Sequence, residues 1–255
     1  MAGIPINDLW LTCPRPNPQA YLRLFCFPYA GGSPVVFRQW PEILPPLIEV
    51  CSIQLPGRGA RLREPSFTRL EPLIEALLPA LLPHLDKPFA FFGHSMGASI
   101  GFELARRLRR ESAPLPAHLF LSGRRAPQIP DTTQPHHALP EPEFLRKVRN
   151  LNGTPLEILD NPELMQLMIP ILRADFAVCE TYDYRPEPPL ACPVSAFGGL
   201  QDQEVSSEDL AGWAEQTSAA FILRMLPGDH FFLHTARRQL LETICRELYD
   251  VLEVA

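Results

Sequence analysis

Residues 89–108, FAFFGHSMGASIGFELARRL, run from four apolar residues through a glycine to a serine set between histidine and methionine, and then into helically spaced apolar residues. Phe89-Ala90-Phe91-Phe92 reads as a buried strand, and the residues after Ser95 read as a helix. Glycine stands two positions before the serine, at Gly93, and two after it, at Gly97. Small residues at both places let a strand turn sharply into a helix without side-chain collision, so the hydroxyl projects from the tip and the N–H groups of the turn face the same space. That geometry suits a nucleophile.

Outward from this turn, short apolar runs recur with helical patterns between them: YLRLFCF (21–27), IEVCSIQL (48–55), AHLFLSG (117–123), CPVSAFGG (192–199) and AAFILRML (219–226). Each has strand length. The segments between, such as LEPLIEALLPALLPHL and ASIGFELARRLRRE, space their apolar residues three and four apart, and ARRQLLETICRELYDVLEVA reads as a closing helix. Strands that are apolar throughout, alternating with helices, predict a mostly parallel sheet covered on both faces, an α/β fold in one domain spanning residues 1–255. The alternation breaks once. From 130 to 184 there is no good strand, while EPEFLRKVRNL and NPELMQLMIPILRADFAVCETY are helical in pattern, with Asn161 as cap and Pro162 in the first turn. A helical insertion there is expected to form a lid or a pocket wall.

Composition narrows the function. With 255 residues, 46% of them hydrophobic, the chain can bury a sizeable core, and a formal charge of −6 leaves no basic excess for general nucleic-acid binding. The start, Met1 to Trp10, lacks a basic stretch leading into an apolar run, and no segment approaches the roughly 20 apolar residues of a membrane span. A cytoplasmic location is expected. Six cysteines lie scattered without a CxxC pair, which favours buried thiols, and no His, Cys, Asp or Glu set has metal-ligand spacing. Thirty prolines punctuate element edges rather than forming a block.

Serine chemistry needs a base, an acid that orients the base, and donors for an oxyanion. In serine hydrolases built on a parallel sheet the chain order is serine, acid, histidine, the last two in loops after late strands. Asp202 occupies the first such loop, in FGGLQDQEV, with Glu204 and Asp209 as nearer rivals. His230 occupies the second, in LPGDHFFLH, ahead of His234, which the spacing puts inside the next helix. Asp229 is adjacent to His230 and poorly placed to face it. His84, His118 and the pair His136-His137 carry no comparable signal. The oxyanion donors expected are the N–H of Met96, next to the nucleophile, and that of Ala30, in the glycine-bearing loop FCFPYAGGSPVVF.

Taken in order, FPYAGGS, LPGRGARLREP, GHSMGA, GGLQDQEV and PGDHFFL resemble the stand-alone type II thioesterases of polyketide and non-ribosomal peptide synthesis, from about residue 22 to residue 245. The resemblance implies an α/β-hydrolase fold with a mobile helical lid. It also implies hydrolysis of stalled or wrongly primed acyl groups from the phosphopantetheine arm of acyl or peptidyl carrier proteins, with acyl-CoA as a small substrate. The implied enzyme is a cytoplasmic monomer that needs no metal, no cofactor of its own, no nucleic acid and no membrane. By motif position its triad falls on Ser95, Asp202 and His230 and its oxyanion donors on Ala30 and Met96. The family often has histidine where Tyr29 stands, a difference expected to alter the pocket wall rather than the chemistry. Arg58, Arg61 and Arg63 lie close together; contact of Arg58 and Arg61 with a pantetheine phosphate or an acidic carrier helix is one expectation, and pairing with carboxylates such as Glu64 is the other.

Overall fold

The computed structural model describes residues 9–131, 134–154, 156–249 and 251. Seven strands, β1 (Leu11–Thr12), β2 (Leu22–Phe27), β3 (Ile48–Ile53), β4 (Phe89–His94), β5 (His118–Ser122), β6 (Val194–Gly199) and β7 (Phe221–Leu226), form one sheet in the order β1-β3-β2-β4-β5-β6-β7. Each of the six apolar runs contributes one strand, and all of these pair in parallel. β1 is the addition. It runs antiparallel to β3, and two residues are too few to show any period in the sequence.

The strands alternate their side chains between two cores. In β2, Phe25 and Phe27 point into a cluster shared with α1 (Leu70–Leu81) and α2 (Met96–Arg110), whereas Leu22, Leu24 and Cys26 enter a second cluster with Phe37 and Trp40. Between β5 and β6 the chain forms α3 (Glu141–Asn150), α4 (Leu156–Leu159) and α5 (Pro162–Glu180). This inserted segment has a small core of its own around Phe144, Val148, Met165 and Leu172. Asn161 caps α5 as its sequence predicts, its side chain accepting from the N–H groups of Glu163 and Leu164 at 3.1 and 3.2 Å. After β6 comes α6 (Ser207–Ala211), and after β7 come α7 (Phe232–Thr235) and α8 (Arg237–Glu247), whose Leu240, Leu241 and Ile244 complete the second core. The expectations for the chain start, for residues 132, 133 and 155 of the inserted segment and for the last turn of the closing helix fall partly outside the described residues.

Strand order places the site. From β2 the chain moves outward to β3 on one side, and from β4 it moves to β5 on the other. Loops leaving the carboxyl ends of these two central neighbours therefore diverge and open a crevice, the place where open parallel sheets hold ligands. Ala30 comes after β2 into that crevice and Ser95 after β4.

Candidate active site

Ser95 sits between β4 and α2 at φ 54° and ψ −115°, a backbone conformation that L-residues adopt only under constraint. The flanking glycines supply the constraint: a Cβ on Gly93 would lie 2.1 Å from the Gly97 carbonyl oxygen, and one on Gly97 would lie 2.0 Å from that of Phe27. Ser95 also donates its N–H to the Ser122 carbonyl at 2.7 Å. The turn is thus wedged between the ends of β2 and β5. Met96 is the first residue of α2, so its N–H has no carbonyl partner within the helix.

The other loop is a tight turn. Gly32 donates its N–H to the Tyr29 carbonyl at 2.8 Å, and Gly31 between them takes φ +77°, the left-handed value required at the third position of a type II turn. Because the peptide is planar and trans, the N–H of Ala30 points opposite to the Tyr29 carbonyl, away from the inside of the turn. Ala30 lines the same cavity as Ser95.

Two loops far apart in sequence are knitted at the end of the sheet. Leu200 donates to the Leu226 carbonyl at 2.8 Å, Gln201 to that of Gly228 at 2.9 Å, and the Gln201 side chain accepts from the Gly228 N–H at 2.7 Å. This brings Asp202 to His230, with Oδ2 2.8 Å from Nδ1. The buried carboxylate also accepts from the N–H groups of Glu204 and Val205, at 2.8 and 3.3 Å, so it is held from three directions. With Nδ1 engaged, the Nε2 of His230 is the ring nitrogen left for other work. His230 and Ser95 line one cavity of about 340 Å³, closed on the far side by Val148, Leu172 and Phe176 of the inserted segment. No hydrogen bond joins the Ser95 hydroxyl to His230 in this conformation.

The rival groups are occupied elsewhere. Glu204 pairs with Lys147, Asp209 closes the capping box of α6, and Asp229 accepts from the N–H of Phe231 and from Asn152. His234, in α7, bonds instead to the Tyr29 hydroxyl at 3.0 Å. Tyr29 packs edge-on against Phe231, and burial pushes its phenol up to about 12, which keeps it protonated. His94, a residue the sequence did not single out, lies fully buried with its ring 5.2 Å from that of His230 and its Nδ1 2.8 Å from the Ser122 hydroxyl. Burial, and then the neighbouring His230 and His234, hold it well below the usual imidazole range, so it packs beneath the site as a neutral ring.

Of the two expectations for the basic loop, carrier contact needs correction and pairing with carboxylates such as Glu64 holds. Arg58 and Arg61 are each only 6% exposed and spend their guanidinium groups inside the protein, so neither presents charge to a carrier. Arg61 pairs with Glu64 and lies over the Trp10 ring at 3.9 Å, and Arg58 forms a two-pronged pair with Asp175 of α5. Burying a guanidinium without a partner is costly, and each of these has found one. Asp175 was missed as a site residue, although a carboxylate at the apolar spacing of Leu172 and Val178 is the pattern that marks a buried charge.

A parallel sheet carrying serine on a strained strand–helix turn, an acid after β6 and a histidine after β7 is the arrangement of the α/β-hydrolases. Within that class the chain belongs to the thioesterase domain family, which matches residues 22–248. It is 47% identical over 252 residues to the gramicidin S biosynthesis protein GrsT of Aneurinibacillus migulanus, covering 99% of this chain and 98% of that protein. Among solved structures, RedJ, a thioesterase from the prodiginine biosynthetic pathway in Streptomyces coelicolor, is 44% identical with a TM-score of 0.84, covering 90% of this chain and 86% of that one. BorB, a type II thioesterase from the borrelidin biosynthetic cluster, is 36% identical with a TM-score of 0.87, covering 94% of this chain and 98% of that one.

Proposed function

We propose that this thioesterase clears acyl groups from the phosphopantetheine arm of a carrier protein in polyketide or non-ribosomal peptide assembly, with Ser95 as nucleophile, His230 as base and Asp202 as the group that orients it. The observation that carries the assignment is that the Asp202–His230 pair opens onto the same cavity as a serine held at φ 54°. His230 Nε2 takes the proton of the Ser95 hydroxyl as the oxygen attacks the thioester carbonyl. The oxyanion that forms is met by the N–H groups of Ala30 and Met96. Protonated His230 returns its proton to the departing thiol, leaving an acyl-serine, and water repeats the sequence to release the acid.

The reaction uses no cofactor of the enzyme's own; the pantetheine arm belongs to the partner, and acyl-CoA offers the same thioester in small form. The inserted segment, which walls the cavity, acts as the lid. Among the described residues no helix is long and apolar enough to cross a membrane, and the enzyme is proposed to work as a cytoplasmic monomer.

The test compares hydrolysis of acyl-carrier thioesters, acyl-CoAs and matched oxygen esters by the native chain and by Ser95→Ala. Thioesters are expected to be preferred, and the substitution should lower kcat by at least about 10³-fold at unchanged Tm. Preference for oxygen esters would make the enzyme a carboxylesterase, and undiminished turnover by the variant would remove Ser95 from the mechanism.

A further inference from the structure

The buried pair Arg58–Asp175 touches no part of the cavity where bonds change, yet it grips the turn that carries Ala30. Asp175, 2% exposed, accepts the Gly31 N–H on Oδ2 at 2.7 Å. The same oxygen receives Arg58 Nη1 at 2.5 Å, and Oδ1 receives Nη2 at 2.7 Å. Arg58 Nη1 reaches on to the Gly32 carbonyl at 3.2 Å. The turn is also held sterically, since a Cβ on Gly31 would stand 2.6 Å from Leu172 Cδ2 of the same helix. The Ala30–Gly31 peptide, through its N–H, and the Gly32–Ser33 peptide, through its carbonyl, are therefore fixed by side chains that lie outside the turn, one of them on α5.

We propose that Arg58 and Asp175 are positioning residues for the oxyanion site, and that through them the seating of α5 decides whether the Ala30 N–H is aimed into the cavity. The inference rests on the reading of Ala30 as an oxyanion donor. Its physical basis is the geometry of a short turn. Freeing the Gly31 N–H removes the Asp175 hydrogen bond on the peptide between Ala30 and Gly31, and the wide φ range of glycine lets that peptide rotate within the turn. The Ala30 N–H then loses its aim at an oxygen that must be met at roughly 2.7–3.1 Å. A group that acts only on the oxyanion alters the transition state more than the bound substrate, so the loss falls on kcat and spares KM.

Removing one partner alone would strand a buried charge and unfold the segment, so the test uses the double variant Arg58→Met/Asp175→Leu, which removes both charges at similar volume. Hydrolysis of an acetyl thioester of N-acetylcysteamine is measured beside Tm and the affinity of a trifluoromethyl ketone, whose serine adduct carries an oxyanion. The expected result is a folded protein with kcat lowered about 10- to 100-fold, KM within about 2-fold of native, and ketone affinity weakened in proportion to kcat. Arg58→Met/Asp175→Asn, which also strands no charge but keeps an acceptor for the Gly31 N–H, should retain more of the ketone affinity than Arg58→Met/Asp175→Leu does. Native kcat and ketone affinity in a folded Arg58→Met/Asp175→Leu variant would overturn the proposal, as would a rise in KM with kcat unchanged. If the native enzyme itself fails to hydrolyse the thioester, the catalytic reading fails first; if it succeeds and that variant matches it, only the positioning role is lost.

Discussion

At the scale of single residues, His230 is useful as a base only in the tautomer that leaves Nε2 without a proton, and Asp202 selects that tautomer by accepting Nδ1–H at 2.8 Å. Asp202→Asn keeps the acceptor for the N–H groups of Glu204 and Val205 but replaces the carboxylate with an amide that can hold the ring in the wrong tautomer. We expect kcat to fall on the order of 10³- to 10⁴-fold with Tm nearly unchanged, read by steady-state kinetics beside a thermal melt. A loss below about 10-fold would mean that another carboxylate orients the ring. Ser95, Asp202 and His230 were legible because each stands just past an apolar run, so its loop is fixed by the strand before it. Arg58 was not. Its guanidinium is neutralised by a carboxylate 117 residues away in sequence, and spacing along the chain carries no information about which distant acid will meet it. Local sequence shows a basic loop; only packing shows that the loop faces inward.

Among the elements, the turn from β4 into α2 is packed against backbone on both sides of the serine. Gly97→Ala would drive a Cβ to within 2.0 Å of the Phe27 carbonyl oxygen, a backbone atom that cannot swing aside. One turn further along the same helix, a Cβ on Gly101 would meet the Phe27 ring at 3.5 Å, an ordinary contact. The two substitutions should therefore differ in sign. Gly97→Ala is expected to destabilise by about 1–3 kcal/mol and to abolish turnover. Gly101→Ala should stabilise by about 0.5–1 kcal/mol at native activity, because glycine inside a helix loses more conformational freedom on folding than alanine does. Denaturant unfolding of both variants measures this, and equal stabilities would mean that the turn is not wedged as described. The six long strands and the helices α1, α2, α3 and α5 could be read from their periods. The geometry that makes Gly97 indispensable could be read only in part, since the sequence asks for a small residue there without saying that β2 is what it must clear.

For the molecule as a whole, two buried histidines make the core sensitive to acid. Burial holds His94 well below the usual imidazole range and brings His118, on β5, down to about 4. In the unfolded chain both rings take up a proton near pH ~6.5, whereas in the folded chain they resist it. Below that pH the unfolded state binds more protons, so stability contributed by these groups is complete above about 6.5 and is lost as pH falls, for His118 until about 4. Tm is expected to drop steadily between about pH 7 and pH 4, and His118→Gln should flatten part of the slope; a profile level over that interval would contradict the burial of these rings. The placement of Arg58 has a different kind of consequence, for anyone who would re-engineer this scaffold. The inserted helices leave the sheet after β5 and return at its immediate neighbour β6, which makes residues 130–184 look like a detachable cassette that could be traded for another cap. It is detachable only on one condition: a grafted replacement must bring its own acid to the place of Asp175, or the recipient is left holding an orphaned cation in its interior.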